Sequence, residues 1–380
     1  MINKNRFNIG IILNYSPNWM GGVIYIVNII NTLNYLDDDQ KPEIWLFYRH
    51  DVRKILPDIN YPYINCIEHS FPSIVIGNIK SFILRRNLFI DTIIKKYSLD
   101  SIFPLPDFPV RINTHVKLIS WWADLQEKYY PEFFSIGQRV GRNMRIKMIL
   151  RNCDNLVVSS QAVKDDFIRF YKIRQKTKIN VFHFVSVIDQ KSNVRIEEVR
   201  SKYHLPVDYF IVSNQFHKHK NHRVVLLALA KLKEKGIIKH IAFTGKFPSA
   251  SDSPYLTELH TIIRENQLHD QVTMLGVISR NEQLELMKNS QAVIQPSLFE
   301  GWSTVIEDAK SLQTPVIAAN LKVNIEQLGE TGRYFDPLDY EELASIIEDY
   351  PLKRTSNMIY EFYEDRIKKA ARELIEILMK

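Results

Sequence analysis

AVIQPSLFEGWSTVIEDAKSLQTPVIAAN, residues 292–320, reads as a strand, a turn, a helix and a second strand. AVIQPS (292–297) and PVIAAN (315–320) are short apolar runs bounded by Pro, Ser and Asn, the pattern of buried strands. FEG makes the turn between them, and a helix is expected to start near Ser303 or Thr304. Its buried face would be Val305, Ile306, Ala309 and Leu312. On that wheel Glu307 points nearly opposite the buried face, where Thr304-x-x-Glu307 fits a capping box, and Asp308 lies on the flank. Glu300 precedes the helix, at the carboxyl end of the strand. The N–H groups of Ser303, Thr304 and Val305 offer an anion a ready site.

The same alternation runs along the rest of the chain. FNIGIIL (7–13), EIWLFY (43–48), VKLISWW (116–122), NLVVS (155–159) and INVFHF (179–184) are expected strands, separated by helical stretches such as 23–33 and 161–171. After residue 205 it begins again with YFIVSN (209–214), HIAFTG (240–245) and VTMLG (272–276). Strands alternating with helices imply parallel sheets covered on both faces, and two such runs imply two doubly wound α/β domains. The polar KSNVRIEEVRSKYHLP stretch marks the join. The expected division is 1–195, 196–357 and a last helix at 358–380, after a break around Pro351–Asn357, that packs back across the join. Ligands of such sheets bind at the carboxyl ends of the strands, which for two domains means an interdomain cleft.

Composition narrows the class without naming a substrate. With 380 residues, 45% hydrophobic and 24% charged, the chain is globular and not disordered. Cys66 and Cys153 are far apart and lack metal-site spacing, which points to a reducing compartment. The opening MINKNRFNIGIILNY has too short an apolar run to span a bilayer and no small-residue cleavage site. A cytoplasmic protein is expected, with peripheral contact to the inner face of a membrane. The net charge of +7 favours anionic partners.

A carboxylate beside an anion-binding helix end suits a ligand with both phosphate and hydroxyl groups, such as a nucleotide sugar. PSLFEGWSTVIEDAKSLQTPVIAAN resembles the donor-binding signature of glycosyltransferase family 4, retaining enzymes with the GT-B fold. The paired acids, separated by seven residues in that family, match Glu300 and Asp308, with aspartate where glutamate is usual. The resemblance implies that Glu300 contacts the transferring sugar and Asp308 the ribose hydroxyls. Glu307 is the alternative ribose ligand. Gly301, Trp302, Ser303, Thr304 and Val305 would face the sugar and diphosphate. Val277, after a strand ending in Leu-Gly, would border the base.

SNQFHKHKNHRVVLLAL resembles a subgroup of the same family that carries an Asn-Gln-Phe…His-Lys-Asn-His run. Read as residues alone, two lysines and three histidines before a helix form a phosphate-attracting edge, with Asn221 as N-cap. By the resemblance Lys220 binds the donor diphosphate, and Gln215 stands where an arginine is common. His217, His219 and His222 lack the carboxylate or cysteine partners of a metal site, and none is expected. Gly21-Gly22 is the only glycine doublet, expected in the loop between the first strand and first helix. In the family the matching loop borders the reaction centre. ISWWADLQEKYYPEFF resembles the segment where many relatives carry a histidine beside the sugar, and Glu127 stands at that position here.

The resemblance implies a metal-independent hexosyltransferase, with no cofactor beyond the nucleotide sugar and a saccharide or lipid-linked saccharide as acceptor. Lipopolysaccharide or another bacterial surface polysaccharide is the expected setting. A non-catalytic GT-B partner subunit and a GT-B-like sugar-nucleotide epimerase or phosphorylase are the alternatives. Asp37-Asp38-Asp39 lies in a polar loop and reads as solvated. The helices expected at 79–97 and 137–152 are basic, with apolar residues between. They fit either an anionic membrane surface or a solvated basic face packed by its apolar side. No nucleic-acid module is present.

Overall fold

The computed structural model describes residues 6–15, 20–56, 59–106, 110, 112–188, 194–248, 253–351 and 359–380. The chain divides into two compact units, one formed by 1–187 with 364–380 and the other by 188–363.

In the first unit the chain runs β1 (Asn8–Leu13), α1 (Met20–Leu33), β2 (Glu43–Tyr48), β3 (Ile64–Glu68), α2 (Ile74–Leu84), α3 (Asp91–Lys96) and β4 (Ser101–Phe103). It continues through β5 (Lys117–Trp122), α4 (Gln126–Tyr129), α5 (Ile136–Asn152), β6 (Asn155–Val158), α6 (Gln161–Phe170) and β7 (Lys178–Val181). All seven strands pair in parallel in the order β3-β2-β1-β4-β5-β6-β7. Ile12, Phe47, Ile102, Leu118, Leu156 and Val158 point from successive strands into one shared core. The order reverses between β1 and β4, the switch point at which such sheets open a crevice.

The second unit begins with α7 (Ile196–Tyr203), a helix inside the stretch whose polarity reads as a linker. Its Val199 is buried, and Ile196 and Tyr203 pack with it on the sheet. Then follow β8 (Phe210–Ser213), α8 (His222–Glu234), β9 (Ile241–Thr244), α9 (Pro254–Glu265), β10 (Val272–Gly276), α10 (Arg280–Asn289) and β11 (Val293–Gln295). α11 (Thr304–Ser311), β12 (Val316–Ala319), α12 (Lys322–Leu328), β13 (Arg333–Phe335) and α13 (Tyr340–Glu348) complete it. The six strands are parallel in the order β10-β9-β8-β11-β12-β13. Phe210, Val212, Ile317 and Ala319 face one core, while Tyr209, Ile211, Val316 and Ala318 face another. That alternation is the two-residue period of a sheet covered on both sides. The chain ends in α14 (Tyr363–Met379), which from Glu364 onward belongs to the first unit.

Three sequence expectations change. The basic stretch 79–97 is not one helix, because Arg85 takes a left-handed conformation that ends α2, and α3 starts afresh at Asp91. Gly21 and Gly22 lie in the first turn of α1 and not in a loop before it. Short β3, β4 and β13 complete the sheets. Residues 352–357 of the proposed break at Pro351–Asn357 lie outside the described residues.

Candidate active site

The second sheet also has a switch point. After β8 the chain adds β9 and β10 on one side, then crosses to β11 on the other. The carboxyl ends of β8 and β11 therefore flank a crevice. A polar chain fills its floor. The Asn214 side-chain amide donates to Gln295 Oε1 at 2.9 Å, and Gln295 Nε2 donates to Glu300 Oε1 at 2.7 Å and to Ser297 Oγ at 3.2 Å. Lys220 Nζ meets the same Glu300 oxygen at 2.6 Å, with side-chain exposures of 20% and 10%. Burial pushes the Glu300 carboxyl up. The Lys220 ammonium and the Ser297 hydroxyl outweigh that and hold it below the ordinary carboxyl value.

Lys220 is placed by its loop. It closes a 3₁₀ turn at Lys218–Lys220, and Asn221 after it is left-handed, with φ of 55°. The Asn221 side chain does not cap α8 as expected. Its amide donates instead to Pro296 O at 3.1 Å and Pro337 O at 2.7 Å, tying the loops after β8, β11 and β13 together. The Leu298 N–H donates to His219 O at 2.8 Å, a further tie between the Lys220 and Glu300 loops.

The histidines do not add to the positive edge. His222 is fully buried and stacked on Phe216, and burial pushes it down to about 3. His219 falls to about 4 through burial and the neighbouring Lys220, and His217 is lowered for the same reasons. The lysines carry the charge. Gln215 is exposed, and its Oε1 lies 3.0 Å from His217 Nε2.

α11 differs from its helical wheel. Ser303, not Thr304, is the N-cap, its hydroxyl accepting from Ile306 N–H at 3.3 Å. Glu307 does not face solvent. It is buried, and its Oε1 accepts from Gln327 Nε2 at 2.8 Å with Lys310 Nζ at 3.4 Å. Gln327 also takes the Ser303 N–H at 3.1 Å, so that amide is occupied, while Thr304 and Val305 open the helix at N1 and N2. Asp308 is buried too, gripped at both oxygens by Arg280 at 2.7 and 2.5 Å. Arg280, the first residue of α10, is 43% exposed at its side chain. Arg280→Ala is expected to lower stability by about 2 kcal/mol, less than for a wholly buried pair because water reaches the guanidinium. Urea unfolding of the two proteins measures it. Gly301 is buried and Trp302 half-buried beside Ser303, and Val277 is 74% exposed after β10.

Gly21, Gly22 and Glu127 belong to the first unit. There a cavity of about 550 Å³ opens at the β1–β4–β5 edge, lined among others by Tyr15, Trp121, Trp122, Asp124, Arg142 and Arg145. Glu127 sits behind this lining, buried, with Oε2 accepting from Arg142 Nε at 2.8 Å. Arg142 also donates to Asp124 O at 3.1 Å and lies 5.2 Å from the centre of the Trp122 ring. The cavity thus presents the guanidinium, with Glu127 orienting it. Among the described residues no three His, Cys, Asp or Glu side chains converge to hold a metal ion. No described helix is long and apolar enough to cross a membrane.

Residues 196–373 match the family model described as glycosyl transferases group 1. Over 253 residues the chain is 25% identical to the O-antigen chain mannosyltransferase RfbU of Salmonella typhimurium, covering 65% of this chain and 65% of that relative's length. Among solved structures, Anabaena Alr3699/HepE in complex with UDP-glucose superposes with a TM-score of 0.64 at 18% identity, over 97% of this chain and 96% of that one. This chain has the GT-B fold and is related to the group 1 glycosyl transferases. A second GT-B likeness is sucrose-phosphate synthase from Thermosynechococcus elongatus, with TM-score 0.64, 18% identity and coverage of 99% and 95%. In this GT-B chain the matched segment contains the whole Lys220–Glu300 constellation.

Proposed function

We propose that the chain transfers a sugar from a nucleotide-diphosphate sugar, with retention at the anomeric carbon, to a saccharide or lipid-linked saccharide in bacterial surface-polysaccharide synthesis. The observation that carries this reading is the Lys220–Glu300 pair, set at the carboxyl-end switch point of the second sheet by Gln295 and Asn214. A diphosphate arriving there draws the Lys220 ammonium onto its oxygens. The N–H groups at the start of α11 face the same negative charge, which grows as the bond from the anomeric carbon to the leaving oxygen breaks. Glu300, relieved of part of its ion pair, accepts hydrogen bonds from the sugar hydroxyls and orients the ring. The leaving phosphate takes the acceptor's proton as the new glycosidic bond forms, so no protein nucleophile is required.

Asp308 holds the ribose, with Arg280 keeping its carboxylate in place. Gly301, Trp302, Gln215 and Val277 contribute remaining donor contacts. The reading draws support from the matched family and from two relatives, one named a mannosyltransferase and one solved with UDP-glucose.

A thermal-shift screen against UDP, GDP and their sugars tests it. At a concentration a hundred times its dissociation constant, the true donor is expected to add about 2.7 kcal/mol of stability. If no nucleotide or nucleotide sugar raises the melting temperature, the donor site is misplaced. With a donor in hand, NMR of the anomeric proton in the product decides retention against inversion.

A further inference from the structure

α2 packs with the wrong side outward. Its inner face is small and polar. Gly77 is buried so closely that a Cβ there would come within 2.7 Å of the Phe89 ring and 3.0 Å of Pro72. Ser81, one turn on, is fully buried, and its hydroxyl accepts from Leu88 N–H at 3.2 Å. The large side chains turn away from the domain. Val75, Ile76, Ile79, Phe82, Ile83 and Leu84 are each between 55% and 70% exposed. At 3.6 residues per turn the first five fall within about a third of the helix circumference. A soluble helix ordinarily buries such a stripe, and a contiguous exposed one marks an interaction surface.

The charge around the stripe says what would cover it. From Ser70 through Ile90 the sequence contains no acidic residue. Lys80 and Arg85 are exposed on α2 and at its end. In the same unit, the seventeen residues of α5 also lack an acid. There Ile136, Val140 and Met144, at four-residue spacing on one face, are exposed, along with Arg145 and Lys147. Two helices that pair exposed apolar residues with cations, and offer no anions, match a surface that is apolar beneath and negative on top.

We propose that this face of α2 docks on an anionic lipid surface. Ile79, Phe82 and Ile83 enter the headgroup–acyl boundary while Lys80 and Arg85 meet lipid phosphates. The inference stands on the first unit alone and does not depend on the reading of the donor site.

Sedimentation of the full chain with extruded vesicles tests it, comparing equal parts phosphatidylcholine and phosphatidylglycerol with phosphatidylcholine alone. The protein is expected to pellet with the anionic vesicles only, and less as salt rises. Lys80→Glu with Arg85→Glu is expected to weaken binding about tenfold or more, and Ile79→Glu with Phe82→Glu to abolish it. All four side chains are exposed, so unchanged circular-dichroism melting and unchanged donor thermal shift should accompany the loss. Wild-type protein left in the supernatant of both vesicle types overturns the proposal. So does equal binding to neutral vesicles, or wild-type binding by both double variants. A dimer in vesicle-free solution that Ile79→Glu with Phe82→Glu dissociates, with no vesicle binding, would assign the face to a second copy of the chain.

Discussion

Lys220→Ala is expected to lower kcat/KM for sugar transfer by about ten- to a hundredfold, because a charge-assisted contact contributes about 1.5–3 kcal/mol and 1.4 kcal/mol is a factor of ten. The substitution does more than delete a cation from the diphosphate. It strands Glu300, whose carboxylate now shares one oxygen between Lys220 Nζ and Gln295 Nε2. In the wild type that carboxyl is held below its ordinary value. Its contribution to stability is therefore fully present above the unfolded-state value of about 4.3, and is lost as pH falls through the folded value. Without Lys220 the Ser297 hydroxyl is left as the main counterweight to burial, and the carboxyl is expected to rise above its ordinary value. The sign then inverts, and the variant loses stability as pH rises through the new value. Urea unfolding at a series of pH values should show the two proteins furthest apart near neutrality and converging towards about pH 4. Parallel curves would mean that Glu300 does not depend on Lys220, and an unchanged rate would remove Lys220 from the site. Glu300→Gln in the Lys220→Ala background should recover stability near neutrality, because it removes the stranded charge, and should lower the rate further, because Glu300 makes its own contact with the sugar.

The second large effect is structural. Gly245→Ala is expected to destabilise the second unit by more than about 4 kcal/mol, enough to lower its melting temperature by about 10 °C or to prevent folding. Gly245 follows β9 with φ of 149°, and its N–H donates to Gly276 O at 2.8 Å. A Cβ at this position would lie 2.1 Å from Asn214 O and 2.9 Å from Gln215 N. Those are backbone atoms, so no side chain can swing aside, and the φ adds strain of its own. The two strand-end loops approach so closely because Asn214 must both reach Gln295 and offer its carbonyl towards His222 Nε2, 3.4 Å away. Differential scanning calorimetry of the variant measures the loss. A melting temperature within a degree or two of the wild type would show that the β8 loop can retreat, and that its position is not fixed.

The architecture was legible where strands are long and uniformly apolar. EIWLFY and VTMLG coincide with β2 and β10 to the residue. β4 and β13, of three residues each, carry too few positions for a period to show, and half-exposed β3 interrupts its two isoleucines with Asn, Cys and Glu in no regular period. Side-chain environment was less legible than element type. A helical wheel places Glu307 in solvent because it knows only α11. Gln327, on α12, is what makes the carboxylate's burial tolerable. Arg280, 28 residues before Asp308, is hidden from local patterning in the same way. The polar chain of Asn214 and Gln295 left a faint mark, an amide side chain at the end of each of two apolar strands, but nothing in one sequence says that the two strands are neighbours.

α14 carries a consequence for how the molecule is made. Ile367, Ala371, Leu374 and Leu378 are buried in the helix that completes the unit begun by residue 6. During synthesis that early core stays unfinished while some 176 residues of the other unit emerge and fold. Maturation of the first core thus waits until α14 has been made, and a nascent chain halted before residue 364 should hold one finished lobe and one protease-sensitive lobe.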